Sequence, residues 1–88
     1  MEKIYFKEKN DIDDDIIKIE WEESRSRFTP NRPYIIVETN YITDKRFETQ
    51  VKSYLIKNDY GVGEWVYDSC FNKKEDFRNK LLNNLVNE

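Results

Sequence analysis

The sequence contains no histidine and no alanine, and it has a single cysteine, Cys70. Without histidine, the commonest general base and metal ligand is missing, and neither a Ser-His-Asp nor a Cys-His catalytic arrangement can form within the chain. One cysteine excludes an internal disulfide, which favours a reducing compartment. The same shortage excludes a zinc site of the usual Cys/His type within one chain. Cys70 is therefore expected to be a small core residue.

The chain is also poor in glycine and has no long apolar segment. Its two glycines lie together in the motif G-V-G at residues 61–63, so it contains neither a P-loop nor a G-x-G-x-x-G motif. No apolar run approaches the roughly 20 residues that span a bilayer, and the first residues lack the apolar region of a signal peptide. We therefore predict a cytoplasmic protein with no membrane partner, no cofactor and no enzymatic activity.

Charged and aromatic residues are abundant instead, at 38% and 15% of the chain. Disordered chains are poor in aromatic residues, so this composition indicates a folded protein whose large core candidates are Trp21, Phe47, Trp65 and Phe77. With 88 residues there is room for one core, and residues 1–88 are predicted to form a single domain. The frequent Asn, Ile, Lys, Tyr and Asp have AT-rich codons, which indicates a low-GC bacterium, or a phage or plasmid within one, as the source.

Alternating apolar and polar residues predict an antiparallel sheet. In residues 16–23, Ile17, Ile19 and Trp21 fall on one face, which predicts a half-buried strand. The other predicted elements are strands at 34–43, 47–56 and 64–69, an edge strand at 3–8, a loop at 24–33, and turns at 44–46 and 58–63.

The C-terminal segment changes to the period of a helix. Phe77, Leu81 and Leu85 are spaced four residues apart, Leu82 widens the stripe, and Asn72 is a suitable N-cap. This helix is expected to lay its leucines on the sheet. The predicted fold is thus α+β: a four- or five-stranded antiparallel meander with one C-terminal α-helix packed on one face.

One acidic spacing requires a test against calcium binding. Asp11, Asp13 and Asp15 fall at positions 1, 3 and 5 of an EF-hand loop, and Glu22 falls at position 12. The glycine required at position 6 is replaced by Ile16, and the following residues alternate like a strand. We predict a solvated turn and no metal site.

The same acids suggest a binding surface. Residues 1–23 carry nine acidic residues against four lysines, whereas the rest of the chain carries nine against eleven lysines and arginines. A carboxylate array can stand in for phosphates and occupy the basic groove of a nucleic-acid-binding protein. The residues assigned to this surface are Asp11, Asp13, Asp14, Asp15, Glu20, Glu22 and Glu23. The alternative is that they are an ordinary solvated run of charge.

A basic loop provides a second candidate surface. Arg25, Arg27 and Arg32 flank Phe28, a mixture suited to contacts with a nucleic-acid backbone and to base stacking. The net charge of −3 nevertheless argues against direct nucleic-acid binding, because domains of that kind usually carry a basic balance.

The leading functional hypothesis is a small, acidic, non-catalytic domain that binds another protein. Its size and inferred source fit a phage or mobile-element inhibitor of a host protein involved in defence or nucleic-acid handling. One alternative is a nucleic-acid-associated accessory domain that uses the basic loop. Another is a structural module that forms a homodimer through an edge strand.

Overall fold

The computed structural model describes residues 1–86 and confirms an α+β fold, with six strands and two helices in that part of the chain. The strands are β1 (Lys3–Phe6), β2 (Pro33–Ile35), β3 (Glu38–Asp44), β4 (Thr49–Lys57), β5 (Gly63–Tyr67) and β6 (Phe71–Lys73). The helices are α1 (Asp15–Ser24) and α2 (Lys74–Val86), and short 3-10 turns occur at Lys9–Asp11 and Asp68–Cys70. None of the helices described is long and apolar enough to cross a membrane.

The strands form two antiparallel sheets rather than the single meander predicted. Sheet 1 has the order β2-β1-β6 and sheet 2 has the order β3-β4-β5, so only sheet 2 is a meander. The predicted strand at 34–43 is divided, because Ile35 pairs with Lys3 of β1 whereas Glu38 pairs with Leu55 of β4. The N-terminal strand is consequently the centre of sheet 1 and not an edge.

The core lies where the apolar faces of the two sheets and α1 meet. In sheet 1, Ile4 is opposite Tyr34 and Phe6 is opposite Phe71, so all four side chains share one face. Phe6 stacks on Trp21 of α1 with ring centroids 5.6 Å apart. The buried apolar residues are Ile4, Phe6, Ile12, Trp21, Phe28, Tyr34, Tyr54, Ile56, Val66, Cys70 and Phe71.

Residues 15–24 form α1, and the strand predicted at 16–23 is wrong. The Asp14 carboxylate accepts hydrogen bonds from the Ile16 and Ile17 amides at 2.8 and 3.3 Å, which makes Asp14 the N-cap. Trp21 and Ser24 are buried, and Ile17 packs against the core beside them. This spacing of four and three residues is that of one helical face, so the helix buries Trp21 as effectively as the predicted strand would.

The C-terminal helix is confirmed, but its leucine stripe is not buried. Helix α2 begins at Lys74, because Asn72, the predicted N-cap, instead pairs with Tyr5 in sheet 1. Phe77 stacks on Tyr5 with centroids 4.1 Å apart. Leu81, Leu82 and Leu85 are 48%, 53% and 70% exposed. The strands of sheet 1 have only three or four residues each, so its outer face is too small to cover the whole stripe.

Candidate protein-binding surface

The seven acids assigned to one surface do not form a continuous array. Asp11 lies 2.5 Å from Lys80 of α2, Glu20 lies 2.6 Å from Arg46, and Glu22 lies 2.8 Å from Lys9. Because residues 15–24 are helical, their acids are distributed around α1 and do not line one strand face. The expected surface is therefore reduced to those acids that point away from the core.

Arg46 binds two of these acids, of which Glu20 is largely shielded from solvent and Glu23 stays exposed. Its guanidinium contacts Glu20 at 2.6 Å, Asp44 at 2.9 Å and Glu23 at 3.4 Å, which connects the β3–β4 turn to α1. The Tyr67 hydroxyl also donates to the Asp44 carboxylate. Hydrogen bonds from Arg46 and then Tyr67 hold the pKa of Asp44 well below its usual range, and burial with the Asp44 bond raises the pKa of Tyr67 to about 12. We assign this cluster a structural role.

The outward face of α1 carries a mixed apolar and acidic surface. We define this face as Asp15, Ile16, Ile19, Glu22 and Glu23, which at 100° per residue span an arc of about 120°. The arc lies opposite the buried Trp21 and Ser24. Ile16 and Ile19 are 44% and 49% exposed, and the Asp15 side chain is almost fully exposed. Two isoleucines that are neighbours on the helix surface are thus partly exposed to solvent between carboxylates.

A small cleft adjoins the start of α1. It has a volume of about 230 Å³ and is lined by Lys7, Asp11, Ile12, Asp13, Asp14, Ile17 and Ser69. Asp13 and Asp14 are exposed at its rim. A cationic side chain of a partner could enter this cleft beside their carboxylates.

The basic loop is paired internally. Arg27 contacts Glu64 at 2.9 Å, Arg32 contacts Asp59 at 2.9 Å, and Arg25 contacts Glu22 at 3.3 Å. The hydrogen bond to Glu64 raises the pKa of Arg27. The interpretation of Phe28 as a stacking residue is corrected, because its ring is 2% exposed and packs between Phe6 and Phe71. The loop closes the core beside the 58–63 turn, where Tyr60 is the exposed aromatic residue next to it and bonds the Ser26 carbonyl through its hydroxyl.

Two further expectations concern metal binding and Cys70. Within residues 1–86, no group of three or more potential ligands (His, Cys, Asp or Glu) could hold a metal ion. Asp15 lies at the start of α1 and Glu22 on the same helix, and this arrangement does not resemble a calcium loop.

Cys70 is a core residue, as predicted, and burial raises the pKa of its thiol to about 12, which leaves it protonated and unreactive at neutral pH.

The sequence reasoning missed Ile16 and Ile19 as surface residues. It assigned Ile19 to the buried face of a strand, together with Ile17 and Trp21. A signal was present: Asp14 is a favourable N-cap, and Ile17, Trp21 and Ser24 have helical spacing. Together these features predict a helix that has Ile16 and Ile19 on its outward face.

Comparisons of the chain with protein-family models, with curated proteins and with solved structures gave no match.

Proposed function

We propose that the protein is a non-catalytic binding domain that docks another protein on the outward face of α1. The observation that carries this proposal is the pair Ile16 and Ile19, which are about half exposed on one helical face and bordered by Asp15 and Glu23. Isolated exposed apolar residues are common on protein surfaces and need no explanation. Two neighbours on one helix, rimmed by charge, have the anatomy of an interface: an apolar centre that loses water and a polar edge.

The charge of this face defines the chemistry of the partner. Asp13, Asp14 and Asp15 surround the beginning of α1, and Glu23 lies two turns further along. A matching surface would place an apolar patch inside a rim of lysine and arginine, since such complementarity speeds encounter and excludes other partners. Nucleic-acid-binding proteins carry basic surfaces of this type, and inhibition of such a protein in a host cell is the specific form of the function that we favour.

The test is affinity capture from nuclease-treated lysate of a low-GC bacterium, with matched variants of the bait. Ile16→Gln/Ile19→Gln removes the apolar centre, and Asp13→Asn/Asp15→Asn removes rim charge without touching the Arg46 cluster. Leu82→Gln/Leu85→Gln alters exposed leucines on α2 and serves as the control. We expect one stoichiometric protein with the unaltered bait and the control, and its loss with both α1 variants.

The capture also separates the competing functions. Retention of the partner by both α1 variants would refute the proposed surface. Recovery of nucleic acid before nuclease treatment, with no specific protein after it, would instead support the basic-loop alternative. Rim-charge variants should weaken binding most at low ionic strength, because exposed charges are screened by salt.

A further inference from the structure

The open edge of sheet 2 provides a second interaction surface, distinct from α1. β3 (Glu38–Asp44) is hydrogen-bonded to β4 on one side and forms the edge of the sheet on the other. It is the longest edge strand, with seven residues against three in β2, three in β6 and five in β5. Edge strands that avoid pairing usually carry lysine, proline or an inward-pointing charge, or are very short. The β3 sequence ETNYITD has no lysine or proline, and its charged residues, Glu38 and the buried Asp44, stand at its two ends.

The backbone groups on the open edge can be identified from the ladder. The Leu55 carbonyl accepts a hydrogen bond from the Val37 amide at 2.9 Å, so the backbone of Leu55 faces β3. Because this orientation alternates along an antiparallel strand, the partners Glu38, Asn40 and Ile42 face β4. Thr39, Tyr41 and Thr43 therefore direct their N–H and C=O groups to the open edge. Consistent with this, the Tyr41 amide donates to Oδ1 of the neighbouring Asn40, at 2.8 Å.

These outward residues are self-complementary about Tyr41. In an antiparallel pair of two β3 strands centred on that residue, Tyr41 meets Tyr41 of the second copy and Thr39 meets its Thr43. All seven residues of both strands are then paired. Aromatic pairs and threonine pairs are favourable across antiparallel strands, and the two-fold axis forms the Thr39–Thr43 contact twice. Tyr41 is 61% exposed in the single chain, so its ring is available for this contact.

The charges near the ends of β3 are compatible with the same register. Glu38 lies opposite Asp44 of the second copy, but that carboxylate is 3% exposed and is bound by Arg46 and Tyr67 of its own chain. The exposed Lys45 follows Asp44 and would lie beside Glu38. Each end of the paired strands thus brings an acid of one copy next to the basic turn of the other.

From this we infer that two copies of the chain associate through β3 into a continuous six-stranded antiparallel sheet. The occupant of the edge is a second copy because the register that aligns the outward backbone groups also pairs Tyr41 with itself. The Asn40 side chain releases the Tyr41 amide on pairing. This inference does not depend on the proposed function of α1.

The test is the mass of the full chain by sedimentation velocity over a concentration series, combined with residue-resolved hydrogen exchange. We expect the mass to rise from 10.8 kDa towards twice that value. The amides of Thr39, Tyr41 and Thr43 should become protected as concentration increases. Tyr41→Lys places two like charges at the two-fold axis and should abolish the rise in mass. Tyr60→Lys, a matched change in the 58–63 turn, should leave it intact.

A second variant shows whether the loss of association is caused by misfolding of the first. Thr43→Pro removes one outward N–H while leaving the β4 ladder unchanged, which an edge strand tolerates, and it should also prevent association. A mass of 10.8 kDa for the unaltered chain at every concentration up to its solubility limit would overturn the inference. So would a dimer that persists in both β3 variants, or one whose concentration-dependent protection lies on α2.

Discussion

At the scale of single residues, polar side chains join segments that are far apart in the sequence. Arg46, in the turn after β3, contacts Glu20 and Glu23 on α1 and Asp44 at the end of β3. The Asp44 carboxylate is almost completely buried, and its bonds with Arg46 and Tyr67 explain how a charged group can be placed there.

The first residue-scale prediction concerns the acid sensitivity of Asp44. Its pKa in the folded protein is lower than the value of about 3.9 in an unfolded chain, so ionised Asp44 stabilises the fold above about pH 4. This contribution is lost as the pH falls towards the folded-state pKa. We expect Asp44→Asn to be less stable than the unaltered chain at neutral pH, and the difference to shrink below about pH 4. Urea unfolding of both proteins at a series of pH values measures this difference in stability. A difference that is independent of pH would contradict the role assigned to ionised Asp44.

The second residue-scale prediction concerns the cap of α1. Asp14→Ala removes the acceptor of the Ile16 and Ile17 amides and should lower the free energy of unfolding by about 1 kcal/mol. Asp14→Ser retains a capping oxygen without the charge and should recover most of the loss. Chemical denaturation of the three proteins provides the comparison. Equal stability of the alanine and serine variants would show that the cap does not stabilise α1.

Residue-level expectations were reliable where burial depends on apolar character alone. Trp21 was predicted to be a core residue and is buried, and Ile4 and Phe6, within the strand predicted at 3–8, are fully buried. Size was a poorer guide, because Trp65 and Phe47 are 37% and 38% exposed. Trp65 lies on an edge strand and Phe47 lies in a turn, where a large ring has neighbours on only one side.

At the scale of elements, α1 shows how two periods can coexist in one segment. Alternate apolar residues Ile17, Ile19 and Trp21 match a strand, while Ile17, Trp21 and Ser24 match a helix. β-branched isoleucines add to the strand signal. The Asp14 cap and the pairing of Glu22 with Lys9 and Arg25 favour the helix. The contact with Arg25 is local, whereas Lys9 lies outside the helix and its pairing with Glu22 cannot be read from the sequence alone.

The prediction at this scale concerns the leucines of α2. Leu82 is 53% exposed, so Leu82→Ala should change the free energy of unfolding by no more than about 0.5 kcal/mol. Ile4→Ala, at a fully buried site, should cost about 2–5 kcal/mol and serves as the comparison. Thermal or urea unfolding distinguishes the two. A loss of several kcal/mol at Leu82 would mean that the leucine stripe is covered in solution.

At the scale of the whole molecule, the sequence predicted the class of fold but not its topology. The hairpin from β3 to β4 and the turn before β5 follow from local signals and are present. The division into two sheets depends on β1 inserting between β2 and β6, strands that lie about 30 and about 65 residues further along the chain. Strand pairing between segments this far apart produces no periodic pattern in the sequence. The pairing of Asp11 and Glu20 was not predicted for a related reason, because their partners Lys80 and Arg46 are also remote in sequence.

The most direct test of protein binding through α1 is site-specific photo-crosslinking in living cells. A photoreactive amino acid replaces Lys18, which borders the outward face of α1 and is partly exposed, and in separate proteins replaces Leu82 of α2 or Tyr60 of the 58–63 turn. We predict one crosslinked protein of defined mass from position 18, absent from positions 60 and 82 and lost when Ile16 and Ile19 are changed to glutamine. A crosslink from position 18 that survives those changes, or one formed only from position 60 or 82, would contradict the proposal.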